Sequence, residues 1–173
     1  MLFLLVMLLV VVLSITACAL LGRGCGSLAE KGLRRTSLPK ALRGFASISG
    51  AGAVAVYAWG LLGVAGAIME AEDGGTDSAP NRACRTSGWL ERERSGDGIV
   101  DYSVSWAPLD YVCETKGGGS YTTDDVPGYV NPAVVGFGLA AAGCAISAGY
   151  VTELRLRGGG ARGEGETRRA GAP

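Results

Sequence analysis

Apolar residues gather into three runs free of any charged side chain, 1–22, 44–69 and 126–152, of 22, 26 and 27 residues. An α-helix rises about 1.5 Å per residue, so about 20 residues cross a hydrocarbon core of roughly 30 Å. Each run therefore predicts a transmembrane helix. Between the second and third runs the pattern changes period. Val100, Tyr102, Val104 and Trp106 alternate with Asp101, Ser103 and Ser105, the mark of a half-buried strand. After a turn at Pro108, Leu109, Tyr111 and Cys113 alternate with Asp110, Val112 and Glu114, which predicts a second strand pairing back as a hairpin. Trp89 and Leu90 are expected to add a third strand or to cover the core, ahead of a polar segment over 91–98; 116–120 is a Gly-rich turn. Two prolines in V-P-G-Y-V-N-P, 126–132, delay the third helix until about Pro132, which a first helical turn accepts.

The expected fold class is thus membrane all-α: three transmembrane helices with a small, disulfide-stapled, β-rich extracytoplasmic loop. The expected order is helix 1–22, basic loop 23–43, helix 44–69, acidic loop domain 70–131, helix 132–152 and a disordered tail 153–173. The tail is rich in Gly, Arg and Glu.

Charge adds an orientation. The chain of 173 residues carries 16 Lys plus Arg against 16 Asp plus Glu, a formal zero that gives no reason to expect nucleic acid as a partner. The zero is a cancellation. Arg23, Lys31, Arg34, Arg35, Lys40 and Arg43 against Glu30 give the first loop +5, and the segment 70–125, with five bases and twelve acids, carries −7. Arg155, Arg157, Arg162, Arg168 and Arg169 against Glu153, Glu164 and Glu166 leave the tail at +2. Positively charged short loops stay on the cytoplasmic side. The expectation is a multi-pass protein of the cell membrane, N-terminus outside and C-terminus in the cytoplasm, with the lipid bilayer as its first partner. Tyr129, Tyr150 and Phe45 sit near span ends, where aromatic rings favour the interface, whereas Tyr57 and Trp59 fall mid-span and are expected to face protein.

The first run has rival readings. Ala17 and Ala19 form an A-x-A cleavage pattern, and Ile15, Thr16, Ala17 and Cys18 read as a lipobox ahead of a modifiable cysteine. Both need a basic segment before the apolar one, and here the bases follow it. Cleavage would also place the +5 loop outside. An uncleaved anchor is the preferred reading.

Small residues recur every four positions in the second run (Ser47, Ala51, Ala55, then Gly63, Ala67) and the third (Gly136, Ala140, Cys144, Ala148, beside Leu139, Gly143, Ser147, Val151). Such rows let helices approach closely, so these two helices are expected to pack together, with self-association or other membrane proteins as further partners; an Ala- and Gly-rich composition also produces such rows by chance. The Leu- and Val-rich first run has no small face and is expected to meet lipid.

Several chemistries are disfavoured. Histidine is absent, which removes the commonest general base and metal ligand. No ionisable Asp, Glu, Lys or Arg interrupts a span, so the usual sign of a proton or ion path is missing. Gly50, Gly52 and Ala55 match a dinucleotide fingerprint only inside a span, without the strand and acid that the motif requires. Arg34, Arg35, Thr36 and Ser37 resemble a basophilic phosphorylation site of low specificity. Asp73 with Asp77, Asp97 with Asp101, and Asp124 with Asp125 offer carboxylates to a hard cation, but none has EF-hand spacing and solvation of an outward-facing domain explains them. No catalytic residue, metal site or cofactor is expected.

What remains is the outer loop. Its 62 residues lie near the size at which a chain buries enough surface to fold unaided. Cys84 and Cys113, alone in the loop and on its oxidising side, are expected to form a disulfide. Three Ala- and Gly-rich spans with a Cys-stapled acidic loop ending in V-P-G-Y-V-N-P resemble small uncharacterised bacterial integral membrane proteins, a resemblance that implies no particular activity. The function expected is that of a non-enzymatic membrane protein whose outer loop is a binding or assembly module, with Trp89, Tyr102, Trp106 and Tyr111 as core or contact residues. The alternative is a subunit of an oligomeric channel or transporter complex.

Overall fold

The computed structural model describes residues 1–29, 38–73 and 82–170. Their order is α1 (Leu2–Ala29), α2 (Leu38–Asp73), a 3-10 turn (Arg82–Cys84), α3 (Trp89–Arg94), β1 (Ile99–Trp106), β2 (Leu109–Thr115), β3 (Ser120–Thr122) and α4 (Val130–Ala170). Three of these helices are long and apolar enough to cross a membrane: Leu2–Ala29, Leu38–Glu72 and Val130–Arg157. The apolar runs are therefore helical, and the helices outgrow them. Leu, Ala, Lys and Arg favour the helix, so α1 and α2 take over much of the expected loop 23–43. Extending a formed helix costs far less than nucleating one, and α4 likewise continues to Ala170 through the segment expected to be disordered. At the start of that extension Arg157 pairs with Glu153 one turn back, at 2.7 Å. The basophilic stretch at Arg34–Ser37 lies outside the described residues, as does Asp77.

The hairpin forms as its alternation predicts. β1 and β2 are antiparallel, with Tyr102 opposite Cys113, Val104 opposite Tyr111 and Trp106 opposite Leu109. A register shift between Ile99 and Asp101 lets Val100 bulge outward, 60% exposed. The third strand is not at Trp89. It is β3, paired to the far side of β2 with Tyr121 opposite Cys113. Trp89 instead opens the short helix α3, behind Gly88, whose φ of 86° suits glycine. Glu91 in its first turn and Arg92 and Arg94 in its last complement the helix dipole.

The chain divides into two compact units. One comprises Met1–Ala17 and Gly52–Gly136. Its core joins Leu61, Val64, Ala65, Ala67 and Ile68 of α2 and Val6 of α1 to Leu109, Tyr111 and Cys113 of β2, with Cys84, Val126 and Val130. The strands and the 3-10 turn thus share their core with the helices. This sharing resolves the shortage of surface that the loop's length implies. The approach is close at two glycines. A Cβ on Gly60 would lie 2.7 Å from Leu109 Cδ2 and 2.8 Å from Val130 Cγ1, and one on Gly63 would collide with the backbone carbonyl of Asp125; at Gly66 there is open space. Gly63→Ala is therefore expected to destabilise by about 1–3 kcal/mol, as overpacking does, although alanine is the better helix former. Gly66→Ala should stabilise by up to about 1 kcal/mol. Thermal unfolding of the two variants in one detergent checks the opposite signs.

The other unit comprises Cys18–Ala51 and Phe137–Pro173. Here α1 does have small residues facing a neighbour. A Cβ on Gly24 would meet Ile48 Cγ1 at 2.7 Å, and one on Gly44 would meet Ser27 Oγ at 2.8 Å and Leu28 Cγ at 3.0 Å. Gly24 lies in the helical extension beyond the run 1–22; within the run, Leu4, Leu5, Leu8, Val11 and Ile15 are exposed and a Cβ on Gly22 would meet nothing within 4 Å. Contact between α2 and α4 is looser, with a Cβ on Gly50 falling 4.0 Å from Ala141 Cβ. In their most apolar stretches 39% of α2 is buried, against 11% of α1 and 6% of α4. Ala51, Ala67 and Ala148 of the predicted rows are buried, while Ala55 and Ala140 are exposed.

Candidate functional site

The segment between α2 and α4 is built around Cys84 and Cys113. They form a disulfide, Cα atoms 5.9 Å apart, with no exposed surface on either residue. Alternation along β2 turns Leu109, Tyr111, Cys113 and Thr115 to the same buried face, so the second cysteine is delivered to the core by strand register alone. The first arrives on the 3-10 turn and is held there. Tyr121 of β3 donates its hydroxyl to the Cys84 carbonyl at 2.6 Å. Arg92 of α3 lies over the Tyr121 ring at 4.2 Å and donates to Thr86 Oγ1 at 3.0 Å, while its Nε is buried without an acceptor among the described residues. Arg85 covers the Trp89 ring at 5.4 Å. One cation–π contact, Arg92 on Tyr121, thereby fastens α3 to the sheet and the other, Arg85 on Trp89, fastens it to the segment after Cys84, each worth about 0.5–2 kcal/mol.

The four aromatic candidates separate by depth. Tyr111 has no exposed surface and is a core residue, stacked on half-buried Tyr102 with ring centroids 5.2 Å apart. Trp89 is half-buried, and only Trp106, at the hairpin end, is exposed. Burial raises the Tyr102 hydroxyl above the usual phenol range, helped by the charges of Glu72, at the end of α2, and Asp101. The expectation for the two mid-helix aromatics divides as well. Tyr57 donates its hydroxyl to the Trp106 carbonyl at 2.9 Å, whereas Trp59 is 58% exposed. Residues two apart point to nearly opposite sides of a helix, so both cannot face the same neighbour.

The acids are drawn into local structure. Asp97 accepts from the Gly117 N–H at 2.8 Å, Asp101 from the Tyr102 N–H at 2.8 Å, and Asp125 from the Thr123 hydroxyl at 2.5 Å. No group of three or more potential metal ligands occurs among the described residues. Asp110 is pushed above the usual carboxylate range by burial. A carboxyl whose pKa is raised on folding favours the fold below its unfolded value, and that contribution is lost as pH rises through the folded value. Asp110→Asn is therefore expected to raise the melting temperature at neutral pH and to change it little near about pH 3, where the carboxyl is already neutral. Melts of both chains at the two pH values check it.

Sequence reasoning did not anticipate Asn131. Its side chain brackets one residue of β2: Oδ1 accepts from the Leu109 N–H at 2.8 Å, and Nδ2 donates to the Leu109 carbonyl at 3.1 Å. The only signal was an amide side chain just ahead of Pro132, readable as turn chemistry. No family model, no curated protein and no solved structure matches this chain.

Proposed function

We propose that the chain is a non-enzymatic, multi-pass protein of the cell membrane, N-terminus outside and C-terminus in the cytoplasm, whose segment 70–131 is a binding or assembly module displayed at the outer surface. The observation that carries this reading is the shared core. A three-stranded sheet completed by Leu61, Val64 and Ile68 of α2 and Val6 of α1 shares one core with helices able to cross a membrane. Such mounting presents Leu90 and Val100, 53% and 60% exposed, in a fixed arrangement. A photo-crosslinking residue at Val100 in intact cells, followed by mass spectrometry, tests the module. Recovery of one discrete partner supports it, and recovery of only random membrane neighbours overturns it. Orientation is checked by a cytoplasm-active reporter after Pro173 and a periplasm-active one at Gly118, in the exposed turn between β2 and β3.

One observation favours a second reading, a subunit of an oligomeric channel or transporter complex. α4 leaves a glycine pair one heptad apart open: Cβ atoms on Gly136 and Gly143 would meet nothing within 4 Å. A facing helix from another copy fits such a surface. Copy number in nanodiscs and conductance after reconstitution separate the two readings.

A further inference from the structure

The turn joining β1 to β2, W-A-P-L over 106–109, is uncharged, and Trp106, Ala107 and Pro108 are exposed. An exposed turn in water needs no help with its backbone polar groups, because water supplies it. Here side chains supply part of it. The Trp106 carbonyl accepts from Tyr57 of α2, the Leu109 N–H and carbonyl are both taken by Asn131 of α4, and Pro108 has no N–H to satisfy. Pairing of backbone groups within the protein is what a bilayer favours in a segment touching it. The Ala107 N–H and carbonyl and the Pro108 carbonyl have no such partner among the described residues and are left to headgroups and water at the boundary.

Depth along the helices agrees. Tyr57 and Gly60 lie 14 and 17 residues beyond Arg43, the last base of that end of α2, or about 21 and 26 Å of helical rise. On α4, Asn131 lies 22 residues before Glu153, about 33 Å. Gly60 and Val130 are in register with each other and with Leu109. The turn therefore sits near the outer boundary of a roughly 30 Å hydrocarbon core. A second observation falls at the same level. Trp59 (58% exposed) adjoins Gly60, Tyr129 (59%) adjoins Val130 and Trp106 (40%) is the strand partner of Leu109, so all three flank the Gly60–Leu109–Val130 contact. Exposed tryptophan and tyrosine collected at one height form the belt that marks a membrane–water interface.

We infer that the 106–109 turn is seated in the outer leaflet, where headgroups give way to acyl chains, and that Trp59, Trp106 and Tyr129 form the outer aromatic belt, so that lipid is the partner of this face of the exterior module. The inference rests on the membrane-spanning reading above. It also re-registers α2: the bilayer ends near Trp59 and Gly60, and the following turns, through Ile68, stand outside as the central helix of the exterior core.

Tryptophan fluorescence in vesicles of phosphatidylcholine brominated near the carbonyl end or at mid-chain tests it on the full chain. One variant keeps only Trp106 (Trp59→Phe, Trp89→Phe), another only Trp59 (Trp89→Phe, Trp106→Phe), and an intact Cys84–Cys113 bond that resists reductant in the absence of denaturant certifies the fold of each. Both tryptophans are expected to show blue-shifted emission that is lost in brominated lipid, more in the shallow than in the mid-chain lipid. Trp59 quenched by lipid while Trp106 is quenched only by aqueous acrylamide would overturn the seated turn and leave the spans standing. Trp106 shielded from both quenchers would assign the turn to a protein neighbour instead. Loss of lipid quenching at both positions would remove the spanning reading itself.

Discussion

Tyr111→Ala is expected to be the costliest single substitution in the sheet, at about 3–5 kcal/mol, the range for removing a fully buried aromatic ring. Three features put it there. Tyr111 is among the largest side chains with no exposed surface, it stacks on Tyr102 at an interplanar angle of 17°, and it lies in β2 between the two other buried anchors, Leu109 and Cys113. The cavity left by its loss would be walled by α2 residues on one side and the disulfide on the other, and neither wall is free to collapse inward. Tyr102→Ala is the informative comparison. Its ring is half-buried, so truncation forfeits the stacking contribution of about 0.5–1.5 kcal/mol and part of the area term only. Chemical unfolding in detergent, followed by near-ultraviolet circular dichroism, gives both values. Equal costs at the two positions would mean that the core is not centred on the Tyr111 ring.

That core shows where sequence patterning succeeds and where it loses its grip. The hairpin was legible because its two faces meet different surroundings: Leu109, Tyr111 and Cys113 turn inward while Asp110 and Glu114 do not, and polarity records the difference. Pro132 near the start of α4 was legible for a similarly local reason, since proline tolerates only a few helical positions. The double role of α2 was not. Leu61, Val64 and Ile68 are buried under the sheet, while Trp59, Leu62 and Met69 on its other side are exposed, and both sets are apolar. Where the face a helix leaves exposed is as apolar as the face it buries, there is no binary pattern to read. Glycine held the missing information, because Gly60 and Gly63 mark where another backbone comes close, yet in a chain with 29 glycines the two that matter are not distinguishable beforehand. β3 was missed for want of length. Three residues give too short an alternation to register, and its place is set by the tight Gly117–Gly118 turn and by pairing with β2. Among the candidate contact residues, the alternation correctly grouped Tyr111 with Cys113; it could not rank Trp106 above Trp89, because exposure of Trp106 depends on where Tyr57 and Asn131 hold the turn.

The disulfide is the second large lever, and its effect should be local in structure though large in energy. Cys84 and Cys113 are separated by 29 positions, and closing a loop of that length restricts the unfolded chain by about 3–4 kcal/mol in the chain-entropy account. Cys84→Ala with Cys113→Ala is expected to lose that much; alanine is chosen because a hydroxyl at either buried position would add an unsatisfied group of its own. What the bond holds is the 3-10 turn and, through it, α3. Without it the Tyr121 hydroxyl on the Cys84 carbonyl and Arg92 on the Tyr121 ring remain among that segment's holds on the sheet. β2 retains its neighbours on both sides and its anchors on α2. Trypsin is therefore expected to cut the double variant faster than the parent at Arg92 and Arg94, with helical far-ultraviolet dichroism unchanged. In the parent, the complete burial of both sulfurs should protect the bond from reductant until denaturant opens the core. Rapid reduction of the native chain, or cleavage spread evenly between α2 and α4, would show that the bond is a surface clip rather than the element fastening α3 to the sheet.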